Sequence, residues 1–199
     1  MLTLHRARLL HTGTEMIEDG AVLVDGATVA AIGSAAELAD GPGRVREWPG
    51  VLVPGLLNRH ATWLLETAYH PDPREERGDL PLLPDGDLTD EQRGGSARRG
   101  LQRLLGHGAT ALAGPLGRAP VRTAVARSGL RHLPGPDTGP GPLDPLAGGT
   151  LGAALHRPLT VGGAADFAVF AAEALEELDG GGAACLATVL DGRLLYRSR

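Results

Sequence analysis

Apolar and polar positions along the chain fall into two regimes, strand-like near both ends and mixed strand and helix between them. From Ile17 to Gly33, apolar residues run on either side of Asp25-Gly26, a pair that predicts two short strands joined by a tight turn. Ala184 to Tyr196 repeats the pattern around Asp191-Gly192. Between these hairpins, Val51 to Leu57 is an apolar run interrupted by Pro54-Gly55 and followed by Asn58, Arg59 and His60. Thr89-Asp90-Glu91 predicts a helix start with an acidic first turn, and Ala97, Leu101, Leu104 and Leu105 continue it at helical spacing until Gly106-His107-Gly108. Ala109 to Ala113 then predicts a strand, Val121 to Ser128 a helix, and Leu130 to Pro134 a third strand. Strand and helix in alternation predict parallel βα units.

Residues 134–149, Pro-Gly-Pro-Asp-Thr-Gly-Pro-Gly-Pro-Leu-Asp-Pro-Leu-Ala-Gly-Gly, break the alternation. Proline removes donors and glycine resists ordering, so the segment reads as a linker. A full (β/α)8 barrel takes about 250 residues, whereas the interior of this 199-residue chain accommodates about three βα units at ~30 residues each. Three parallel strands would leave open edges, which the loop around residues 70–88, the linker or a second copy is expected to cover.

His60-Ala61-Thr62, at the end of the first interior strand, resembles the first barrel strand of the amidohydrolase superfamily, whose usual form ends in His-x-His. Side chains two apart on a strand share a face, so two imidazoles there would meet one metal. Thr62 offers a hydroxyl instead, a poor ligand for a transition metal. Leu159 to Phe170, a glycine-rich turn followed by Ala165-Asp166 and an apolar strand, is similar to the closing segment of the same family, and the pattern resembles the imidazolonepropionase and aminodeoxyfutalosine deaminase type.

The resemblance implies an α/β chain in which residues 1–50 and 158–199 join in a composite β-sandwich, residues 51–133 form a partial TIM-type barrel of about three βα units, and residues 134–149 bridge the gap. It implies that later strands supplying the remaining metal ligands have no counterpart. The expectation is therefore a degenerate, non-catalytic homologue serving as a binding, scaffold or regulatory protein with no cofactor. The alternative is a metal-dependent hydrolase of carbon–nitrogen bonds in a small cyclic or purine-like substrate, using zinc or iron. Candidate ligands are His60, read as a vestige of the family site, His70 in the proline-bearing loop after the first strand, and His132 on the third strand. Asp166 is expected to be structural.

Composition narrows the classes further. A formal charge of −5 argues against nucleic acid as a partner, and no apolar stretch is long enough to cross a membrane. The opening residues lack a signal-peptide pattern, which makes cytoplasm the expected location. All 19 basic residues are arginine, so no Schiff-base lysine exists, and Arg98, Arg99 and Arg103 read as a solvated helix face. The single cysteine, Cys185, reads as a small buried apolar residue, and Trp48 and Trp63 as packing residues. A protein partner or a second copy of the chain is expected at the open sheet edge.

Overall fold

The computed structural model describes residues 2–39, 43–75, 78, 81–84 and 86–198. Strands β1 (Leu2–His11), β2 (Met16–Asp25), β3 (Thr28–Ser34), β4 (Arg44–Pro54), β8 (Phe167–Phe170), β9 (Cys185–Leu190) and β10 (Arg193–Arg197) form one sheet in the order β10-β9-β8-β4-β1-β2-β3. The segments from the two ends of the chain join where β4 pairs with β8 antiparallel, Val51 opposite Phe170 and Pro54 opposite Phe167. The segments expected to join as a composite β-sandwich thus belong to one continuous seven-stranded sheet. Its strands curl around a shared core in which Val22, Val24 and Val29 cluster with Phe167, Ala187 and Val189. The hairpin turns at its two ends touch: a Cβ on Gly192 would lie 2.0 Å from the Gly26 carbonyl oxygen. At the second turn Asp191 and Gly192 both have positive φ, the conformation that a two-residue hairpin loop requires.

The second sheet holds the βα units. Strands β5 (Leu56–Asn58), β6 (Ala109–Ala113) and β7 (Arg131–Leu133) run parallel in that order. Two helices connect them, α2 (Asp90–Leu105) and α3 (Ala119–Ser128). A shorter α1 (Ala35–Leu38) follows β3. Helix α2 begins on a reciprocal cap, in which the Thr89 hydroxyl accepts from the Gln92 amide and the Gln92 side chain accepts from the Thr89 amide. Its Ala97, Leu101, Leu104 and Leu105 pack on Leu112 of β6 and on Val121 and Val125 of α3.

The apolar run of residues 51–57 serves both sheets. Val51 to Asn58 is buried throughout, with β4 in the large sheet, Gly55 at the junction and β5 in the small one. Gly55 is required there, because a Cβ would sit 2.0 Å from the Thr110 hydroxyl of β6. Asp166 ties the sheets together a second way. Its buried carboxylate accepts from Arg131 Nε of β7 at 2.7 Å, from Arg157 and from the Asp191 amide at 2.7 Å, while its carbonyl accepts from the Gly55 amide.

Residues 134–149 contain no strand or long helix, yet they are not a free spacer. They form a strap against the small sheet, with Leu146 fully buried and Leu143 packed on the helix-side core. A four-residue helix, α4 (Leu151–Ala154), follows, and Leu155 forms a bridge to Leu56 at the β5 edge. The described part of loop 70–88 packs on α2 and not on β7. Residues 76, 77, 79, 80 and 85 of that loop lie outside the described residues. Among the described residues, no strand pairs with the outer edge of β7, and no helix is long and apolar enough to cross a membrane.

Candidate functional site

The first interior strand ends at Asn58, before the His60-Ala61-Thr62 that the family resemblance places at its end, because the Asn58 side chain turns the chain. Buried Asn58 accepts from the His60 amide at 2.8 Å and donates through Nδ2 to the carbonyls of Pro142 and Leu143 at 3.0 and 3.1 Å. A helical turn begins at Ala61 and passes into a π-helical segment at Trp63–Thr67. Thr62 therefore has helical backbone angles and donates to the Pro115 carbonyl at 2.8 Å. The His60-x-Thr62 pair does not stand on one face of a strand.

His60 faces the strap. Its Nδ1 lies 3.1 Å from the Gly139 carbonyl and 2.9 Å from the Thr138 hydroxyl. Gly141 is seated against the ring, where a Cβ would come within 2.3 Å of its atoms.

His70 lies elsewhere, fully buried beneath α2. Its Nε2 donates to the Leu64 carbonyl at 2.8 Å, and its Nδ1 accepts from Arg103 at 3.1 Å. Its amide donates to Ser96 and its carbonyl accepts from Arg99. Burial, with repulsion from Arg103 and Arg99, pushes its pKa down to about 4, against the opposing effect of the Leu64 bond. The expectation that Arg99 and Arg103 form a solvated face fails for this reason: both reach back to the loop after β5, and Arg99 also approaches Asp72 at 3.5 Å. Helix spacing shows which residues share a face but not which loop folds onto it.

His132 is exposed on β7, where its Nε2 donates to the Gly114 carbonyl at 2.7 Å. The three candidate histidines thus belong to three separate hydrogen-bonded settings. Of the rest, His5 is buried and accepts from Trp48 Nε1 through Nδ1 at 3.2 Å, and burial followed by Arg46 pushes its pKa down to about 3. Cys185 is buried too, and burial pushes its thiol up to about 11, an inert setting.

A hydrolytic zinc site needs about three protein ligands around an open position. Among the described residues no three histidine, cysteine, aspartate or glutamate side chains are grouped to hold a metal. His70 has both nitrogens bonded, and Asp166 has its carboxylate oxygens taken by Arg131, Arg157 and the Asp191 amide. The donors present do not fit the ion.

What the fold does assemble at the end of β5 is an open cleft of about 140 Å³, lined by β5, the strap and α4. His60, Arg59 and Asp144 line it, with apolar walls that include Leu57, Pro142 and Ala154. Arg59 and Asp144 were not candidates from the sequence. Asp144 lies in the segment read as a linker, and its only local signal is the proline that follows.

No family model and no curated protein matches the sequence. Solved structures do match. An adenosine deaminase from Xanthomonas campestris with bound zinc aligns with a TM-score of 0.50 at 20% identity, over 66% of this chain and 33% of that one. A guanine deaminase from Bradyrhizobium japonicum aligns at 0.46 and 16% identity over 68% and 35%. An ochratoxinase from A. niger aligns at 0.46 and 20% identity over 67% and 31%. The chain spans about a third of the length of these structures. At such identity the likeness is one of fold, and over two-thirds of its own length this chain shares the fold of part of a zinc-bound deaminase.

Proposed function

We propose that this chain is a non-catalytic relative of the amidohydrolases, of the imidazolonepropionase-like type, acting in the cytoplasm as a binding or scaffold protein. The observation that carries the reading is the setting of His60. Among the described residues no second or third ligand is grouped with it to hold a metal. Without a bound metal the hydroxide of a metallohydrolase has no source at neutral pH. Elemental analysis of the chain purified without chelators or a histidine tag is expected to find zinc and iron far below one equivalent, with no change in His60→Ala. About one equivalent, lost in that variant, would overturn the reading.

The likeness to a zinc-bound deaminase supports equally a second reading, a metal-dependent hydrolase of carbon–nitrogen bonds whose site His60, His70 and His132 rebuild across a dimer interface. The same metal measurement separates the two.

The outer edge of β7 is the surface we assign to a protein partner, in the first instance a second copy of the chain. One side of β7 pairs with β6, and among the described residues no strand pairs with the other. Light scattering across micromolar concentrations should show a dimer, and a strict monomer would remove the second copy from the reading.

A further inference from the structure

The strap leaves one nitrogen of His60 uncommitted. Thr138 directs its single hydroxyl proton to the Arg59 carbonyl, 2.7 Å away, and the Gly139 carbonyl can only accept. The proton shared with the strap therefore sits on Nδ1, and Nε2 of the neutral ring carries a lone pair. Among the described residues nothing donates to that atom. A backbone carbonyl that fixes the tautomer in this way orients the opposite nitrogen toward a ligand.

The cleft that His60 lines holds charge of both signs. The Arg59 guanidinium is exposed, and its one bond there is a long one of 3.4 Å to the Ala153 carbonyl. Asp144 accepts from the Leu146 amide through Oδ1 at 2.9 Å, leaving Oδ2 without a donor among the described residues. A simple cation would be drawn to Asp144 but opposed by Arg59, and a simple anion the reverse. A molecule bearing both charges satisfies both. The cleft is open on one side and about 140 Å³ in volume, and a space of that order accommodates a molecule of about six heavy atoms.

We propose that this cleft binds a small zwitterion of about six heavy atoms, its ammonium group donating to His60 Nε2 and Asp144 and its carboxylate accepting from Arg59. The inference rests on the metal-free reading, because zinc on Nε2 would consume the same lone pair. It adds a ligand class and assigns Arg59 and Asp144 as specificity determinants.

The test uses the full chain and L-alanine as the probe, following the His60 ring nitrogens by nuclear magnetic resonance. Alanine should shift the Nε2 signal saturably. Isobutyrate and isopropylammonium, each lacking one charge, should bind at least about tenfold more weakly, the scale of one lost charge-assisted contact. Arg59→Gln, at an exposed position, should weaken alanine by a similar factor, and Asp144→Asn provides a second variant that keeps the bond to Leu146. Ring signals unmoved up to about 100 mM alanine, or equal affinity in both variants, would overturn the proposal. Measuring zinc on the same sample separates the failures. A zinc-free chain that ignores alanine overturns this inference alone, whereas one equivalent of zinc on His60 overturns the metal-free reading and the inference with it.

Discussion

Replacing Asp166 with alanine should destabilise the fold by about 1–3 kcal/mol, the cost of removing a shared acceptor from donors that water reaches only in part. The side chain is 1% exposed and receives Arg131, Arg157 and the Asp191 amide. Alanine would strand three donors at the junction of the two sheets. Arg131 retains Asp191 at 2.5 Å, which places the expected loss toward the lower end of that range. Domains of this size are stable by only about 5–15 kcal/mol, so the urea midpoint should fall measurably. Asp166→Asn keeps two acceptor lone pairs and should fall less. An unchanged midpoint in the alanine variant would show that the carboxylate does not hold the sheets together.

Acid should act at least as strongly, through His5 and His70. Both are neutral in the folded chain, with pKa values pushed down to about 3 and about 4, and both return to about 6.5 on unfolding. As pH falls below 6.5 the unfolded chain takes up two protons that the native chain refuses, so stability is full above that value and declines beneath it. Between pH 6 and 4 the slope approaches about 2.7 kcal/mol per pH unit for two such groups, and it eases once His70 protonates in place. Physically, a proton on Nδ1 of His5 would face the Trp48 N–H, and one on Nδ1 of His70 would face Arg103. Urea midpoints measured from pH 7.5 to 4.5 should show the decline. A flat profile, or one unaltered by His70→Gln, would contradict the assigned burial.

Much of the architecture is written locally. Ala109–Ala113 is a strand with the bounds that its flanking glycines suggest, and the Thr89 start of α2 is a cap that four consecutive residues suffice to specify. The hairpin turns are equally local, at Asp191-Gly192 as the pair suggests and at Gly26-Ala27, one residue past the position that Asp25-Gly26 suggests. The site is less legible because its determinants are remote in sequence. Asn58 ends β5 by bonding residues 142 and 143, and Arg131 is oriented by residues 166 and 191. Proline and glycine in the strap report only the absence of regular structure, so nothing in their composition reveals that Gly141 rests on an imidazole. The burial of His70 escapes notice for the same reason, since Arg99 and Arg103 read as solvent-facing until the loop that they grip is in place.

The pairing of β4 with β8 brings residue 51 against residue 170. On the ribosome, at about 5–20 residues per second, the exposed edge of β4 therefore waits on the order of ten seconds for its neighbour. During that interval Val51, Leu52 and Val53 offer an unpaired apolar strand to any chain nearby. Yield from a cell should thus depend on how fast residues 55–170 are translated and on which chaperone shields β4 meanwhile, quantities that the stability of the finished fold does not report.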